Sequence, residues 1–87
     1  MVEKKVTKND DIIKNIRDFL GQFVADPSVS VDHDLFESGL VNSLFAMQLV
    51  LHIESEYGIS VSNDDLDFDN FKSLQAISEF IQGKKSD

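Results

Sequence analysis

The 87-residue chain contains no cysteine. Disulfides and cysteine-ligated zinc are therefore excluded, and any thiol chemistry must come from a group attached to the protein. No apolar run approaches the roughly 20 residues of a membrane span. The opening stretch Met1-Val2-Glu3-Lys4-Lys5 also lacks the apolar core of a secretion signal. A soluble, cytoplasmic protein is the expectation. Glycine-rich phosphate loops are missing. The two histidines, His33 and His52, lie far apart, without the spacing of metal ligands or any basis for a Ser-His-Asp arrangement.

Basic charge is scarce: 8 Lys and Arg stand against 16 Asp and Glu, for a net charge of -8. Arg17 is the last basic residue before Lys72, and every charged residue from Asp18 to Asp69 is acidic. Such a field repels nucleic acid and anionic lipid and steers the chain towards basic partners. Lys4, Lys5, Lys8, Lys84 and Lys85 cluster at the ends, where they read as solvated tails. Contact with nucleic acid or membrane is not expected, and nothing demands more than a monomer.

What is present is helical periodicity. Hydrophobic residues make up 41% of the chain, enough for one small core without metal or crosslinks. Ile12, Ile13, Ile16, Phe19, Leu20, Phe23 and Val24 recur at steps of three and four, predicting a first helix over 9–24 capped by Asn9. Asp26-Pro27-Ser28 stops it. A long loop follows, in which Val29, Val31, Leu35, Phe36 and Leu40 can plug the core and Gly39 can turn sharply. A second helix is predicted from Ser43, with Asn42 as its N-cap, to Tyr57, where Gly58 suits the left-handed terminating position. Ile59 and Val61 are expected to tuck under the bundle. Asn63 can cap a short third helix ending near Phe68. Ser73 caps a final helix from Leu74 to about Gln82, with Leu74, Ile77, Phe80 and Ile81 inward and a polar tail beyond. With no repeat and no strand-like alternation, these elements predict a single all-α four-helix bundle spanning residues 1–87, ordered over about 9–82, with a long first connection.

The segment Asp34-Leu35-Phe36-Glu37-Ser38-Gly39-Leu40-Val41-Asn42-Ser43-Leu44 carries the chemistry. Its apolar residues anchor a loop that delivers a hydroxyl to the start of a helix. There the backbone N–H groups are unpaired and the dipole is positive, an environment that favours a phosphodiester. A serine at a helix start is commonly only a cap. Here Asn42 is the better cap, so Ser43 is not needed for that role.

The segment resembles the phosphopantetheine attachment site of acyl and peptidyl carrier proteins. Leu35, Phe36, Gly39, Leu40, Val41, Ser43 and Leu44 match it, followed by Leu49-Val50, Ile53-Glu54 and the helix end Tyr57-Gly58-Ile59. The resemblance spans roughly residues 10–82. It implies a carrier, not an enzyme, with 4'-phosphopantetheine from coenzyme A joined to Ser43 beside Asn42 and Leu44. The arm's thiol would hold an acyl group as a thioester, so the reactive chemistry belongs to the cofactor. The implied partners are a phosphopantetheinyl transferase and acyl-loading and acyl-modifying enzymes. A polyketide synthase acyltransferase or ketosynthase is implied as well. An unmodified helical interaction module is the alternative from another class.

The chain departs from the family pattern in three places. Asn42 stands where Asp is usual. Phe45 and Gln48 occupy positions that are often acidic in fatty-acid carriers. Met47 and Leu51 add apolar surface. Leu44, Met47, Gln48, Leu51, Glu54 and Ser55 share one helical face by spacing. By resemblance, Leu40, Phe45, Met47, Gln48, Leu51 and Glu54 would meet partner enzymes. The run from Gly39 to Val50 looks like discrete carriers of hydroxymalonyl, methoxymalonyl or aminomalonyl extender units for polyketide and mixed polyketide–peptide pathways. A peptidyl or aminoacyl carrier of nonribosomal synthesis is the nearest alternative. Asp65-x-Asp67-x-Asp69 invites a calcium reading, but Asn70 and Ala76 stand where an EF-hand loop needs Gly and Glu. A solvated acidic turn is expected there, and no metal.

Overall fold

The computed structural model describes residues 9–85. The polar ends at 1–8 and 86–87 lie outside the described residues. The elements are α1 (Asn9–Leu20), α2 (Ser43–Tyr57), a 3-10 turn (Asn63–Asp65), α3 (Phe68–Phe71) and α4 (Leu74–Lys85). This is the predicted all-α bundle with a long first connection. No helix among the described residues is long and apolar enough to cross a membrane.

The α1 stripe of Ile12, Ile13, Ile16, Phe19 and Leu20 is buried and packs chiefly on α4, which contributes Leu74, Ile77 and Ile81 to the core. Asn9 does not spend its side chain on capping. Its Oδ1 accepts the Ser78 hydroxyl at 2.6 Å and the Gln82 amide at 3.2 Å, tying the start of α1 to α4. Those partners lie 69 and 73 residues along the chain, beyond any local pattern.

The first helix ends at Leu20, four residues short of the expected 24. The Gln22 and Phe23 N–H groups bond three residues back, to Phe19 and Leu20, which tightens and unwinds the last turn. Arg17 then draws the chain back along α1. Its guanidinium donates to the carbonyls of Pro27 at 2.6 Å and Val29 at 2.8 Å. Phe23 still packs from the turn, with its ring 5.2 Å from those of Phe19 and Phe45. Val31, an expected core plug, is instead exposed. It contributes its backbone, whose carbonyl accepts the Gln75 N–H at the start of α4.

Both predicted ends of α2 hold. Asn42 Oδ1 accepts the N–H groups of Leu44 at 3.0 Å and Phe45 at 3.4 Å. Gly58 closes the helix at φ 65°, its N–H donating to the Glu54 carbonyl. Beyond it Ile59 and Val61 pack against the core as expected.

The predicted third helix is two pieces. Ser62, not Asn63, precedes the 3-10 turn, and its N–H donates to the Asp65 carboxylate at 2.9 Å. The one-turn α3 starts after Asp67, whose carboxylate accepts the Asp69 N–H at 2.9 Å. The Asp69 carboxylate lies 3.7 Å from Lys72. Ser73 caps α4 as predicted, accepting the Ala76 N–H at 3.1 Å. The helix runs to Lys85, past the expected Gln82. Lysines in a last turn favour the helix dipole, and Lys85 also donates to the Tyr57 carbonyl at 3.1 Å.

Two substitutions test the α2 ends. Asn42→Ala removes the cap and is expected to cost about 1 kcal/mol in urea unfolding, whereas Asn42→Asp, which can still cap, stays near wild type. Gly58→Ala meets no atom within 4 Å, so its cost comes from the left-handed backbone alone, about 1 kcal/mol. An unchanged unfolding midpoint for either alanine variant contradicts the assigned terminus.

Candidate functional site

The site begins with the loop. Leu35 is buried, and its N–H donates to the Lys72 carbonyl at 2.7 Å while its own carbonyl accepts the Val41 N–H at 3.1 Å. Asp34 folds the next turn, its carboxylate accepting the N–H groups of Phe36 at 3.0 Å and Glu37 at 2.8 Å. Gly39, at φ 81°, reverses the chain with its N–H on the Phe36 carbonyl. A loop tied down at Val31, Leu35 and Val41 is a rigid delivery arm, and it ends at the Asn42 cap.

Ser43 is the first residue of α2 and is exposed. Its hydroxyl makes no hydrogen bond to another described residue. The Leu44 and Phe45 N–H groups beside it are already taken by Asn42, and the Ala46 N–H donates to the Asn42 carbonyl. Next to Ser43 opens an apolar groove of about 330 Å³. Met47 and Val50 line it from α2 and Leu66, Phe68 and Phe71 from the 3-10 turn and α3, with the Phe36 ring 5.6 Å from that of Phe68. The 3-10 turn and α3 therefore build half of the site. The sequence reading placed Leu66 and Phe68 at the tail of a short helix and assigned them no role. Their apolarity within an acidic run was the signal available.

The expected recognition residues divide. Leu44, Met47 and Leu51 are exposed by 59%, 67% and 62%, and Gln48 is exposed too. Phe45 is a correction: it is only 1% exposed. Two residues after Ser43 is about 200° around a helix, which turns the ring inward. There it meets Phe19 at 5.7 Å, Phe23 at 5.2 Å and Phe36 at 6.4 Å. Glu54 is half-buried and directs its carboxylate to the Val61 N–H at 2.8 Å, fastening the segment after α2. Leu40 is half-buried and packs against the core.

Neither histidine approaches the serine through a hydrogen bond. His33 Nε2 lies 3.0 Å from the Ser38 hydroxyl. His52 stacks on Phe19 at 4.4 Å and bonds to Asn15 at 2.8 Å. The arrangement exposes a hydroxyl beside an apolar groove, and no base among the described residues is hydrogen-bonded to it.

The family profile of the phosphopantetheine attachment site matches residues 10–81. The chain is 30% identical over 57 residues to the D-alanyl carrier protein of Lactococcus lactis subsp. lactis (strain IL1403), which covers 66% of this chain and 72% of that protein. It is likewise 30% identical over 60 residues to the D-alanyl carrier protein of Streptococcus pyogenes serotype M5 (strain Manfredo), covering 69% and 76%. The family carries 4'-phosphopantetheine as a covalently attached group. A free, exposed hydroxyl and the open groove at its side fit such an attachment. With nearly all of the bundle inside the matched span, the chain belongs to the phosphopantetheine-binding carrier family and is a non-catalytic carrier protein.

Proposed function

We propose that Ser43 receives the phosphopantetheine arm, and that the loaded chain presents a small acyl unit to the enzymes of a polyketide or mixed polyketide–peptide pathway. One observation carries the attachment: Ser43 stands exposed at the first position of α2, its hydroxyl free of bonds to other described residues, while Asn42 meets the capping need that otherwise explains a serine there. A transferase would join the serine oxygen to the pantetheine-side phosphorus of coenzyme A, breaking the phosphoanhydride bond, with adenosine 3',5'-bisphosphate leaving and the hydroxyl proton passing to a base of the transferase. The arm supplies the thiol that this cysteine-free chain lacks. The chain's own residues position the hydroxyl and offer a surface.

The cargo reading rests on the run from Gly39 to Val50 and its likeness to discrete carriers of hydroxymalonyl, methoxymalonyl or aminomalonyl units. A second reading, an aminoacyl carrier, is favoured by the D-alanyl carrier relatives. Loading enzymes separate the two. Acceptance of glyceryl- or seryl-derived units supports the first. Ordinary malonyl loading, with no response to those enzymes, removes it, and loading only by an amino-acid-activating enzyme supports the second.

The docking surface follows from α2. Leu44, Met47 and Leu51 leave an apolar stripe in solvent, bordered by Gln48 and Ser55. Partners that fit it offer an apolar patch, with basic residues drawn in by the surrounding negative field.

Two measurements test these assignments. Incubation with coenzyme A, magnesium and a broad-specificity phosphopantetheinyl transferase should add one phosphopantetheine to the intact mass, and Ser43→Ala should abolish the addition. A folded chain that gains no mass rejects the carrier role for Ser43. Met47→Glu and Leu51→Glu should keep wild-type helical content but raise the KM of partner enzymes roughly tenfold, while Phe45→Glu should unfold the chain by burying an unpaired charge. Unchanged partner kinetics in the first two variants count against that surface.

A further inference from the structure

The two walls of the groove beside Ser43 belong to different parts of the fold. Met47 and Val50 ride on α2. Phe68 and Phe71 ride on α3, which packs on α4, and Leu66 closes the 3-10 turn just before it. The position of the far wall is therefore set by its attachments to α4. One is apolar: the rings of Phe71 and Phe80 lie 5.1 Å apart. The other is polar and converges on Asp65. Its carboxylate accepts Lys84 Nζ at 2.6 Å and the Ser62 N–H at 2.9 Å, and its backbone carbonyl accepts the Asn70 side-chain amide at 2.8 Å. Lys84 also sits 5.8 Å from the centre of the Phe80 ring. Both ends of the ion pair are well shielded, with the side chains 28% and 21% exposed, whereas the pairs Lys14–Asp18 and Lys72–Asp69 are largely open to solvent. Shielding and multiple bonds are the conditions in which an ion pair has structural weight. Leu66, the first residue of the far wall, directly follows Asp65 in the chain.

We infer that Lys84 and Asp65 form a latch: this pair holds the Leu66–Phe68 rim in place and so governs, from the last turn of α4, the width of the groove at Ser43. They are positioning residues, acting through the 3-10 turn. The bond from Lys84, foremost, and the Ser62 N–H hold the Asp65 carboxyl below its ordinary pKa, which agrees with a carboxylate engaged as an acceptor. The bearing of the latch on loading rests on the reading of Ser43 as the attachment point. The pair itself does not.

Amide hydrogen exchange on the full, unmodified chain tests the latch. The reporters are the Leu66 and Asn70 amides, which donate to the carbonyls of Asn63 and Asp67, and the controls are amides of α1. Lys84→Met keeps the aliphatic stem over Phe80 and should speed exchange at the reporters about threefold while leaving α1 unchanged. Asp65→Asn, which can still accept the Ser62 N–H, should do the same, and the double variant should add nothing more. Lys85→Met removes an equal charge one residue away and should leave the reporters alone. Reporters that match wild type in Lys84→Met, equal loosening by Lys85→Met, or loosening spread evenly into α1 each overturn the latch. Because this chain bears no arm, that result is independent of whether Ser43 gains mass with the transferase.

Discussion

Asn42 Oδ1 accepts the N–H groups of Leu44 and Phe45, and those two bonds set where α2 begins. Much else follows from that starting point. A helix that starts at residue 43 turns Phe45, Leu49 and Ile53 into the core and leaves Ser43, Leu44, Met47 and Leu51 in solvent. A start shifted by one residue would rotate every side chain by about 100°. That shift would bury the hydroxyl or expose the Phe45 ring. The loop before it reinforces the register through Leu35, held on both sides by backbone bonds to Lys72 and Val41.

The consequence is a helix apolar on two faces. One face is core. The other is exposed, and from it Met47 lines the groove at Ser43. A domain with a uniformly acidic middle seldom leaves such residues exposed without use. An acidic field acts at long range, whereas apolar contact acts only at short range.

What could be read from the sequence was what is local. The Asn42 cap, the Gly58 terminator, the Ser73 cap and the inward stripes of α1 and α4 depend on residues within one or two turns of each other. Long-range bonds decided the features that were missed. Asn9 reaches Ser78 and Gln82, and Arg17 reaches the carbonyls of Pro27 and Val29, so neither behaves as a local pattern suggests. Phe45 was misassigned because a position taken from a family pattern outweighed the 3.6-residue period that turns it inward. The far wall of the groove was illegible for a related reason. Leu66 and Phe68 look like the tail of a short helix until α4 is seen to hold them opposite Met47. The hydroxyl itself was legible, since its cap, its loop and its helix are contiguous.

The account stands on the hydroxyl at residue 43, and the chain offers other serines nearby, including Ser38 in the loop and Ser55 further along α2. Peptide-level fragmentation of the transferase-treated chain locates the added group directly. The account predicts the adduct on Ser43 alone. An adduct on Ser38 or Ser55, with Ser43 unmodified, would contradict it.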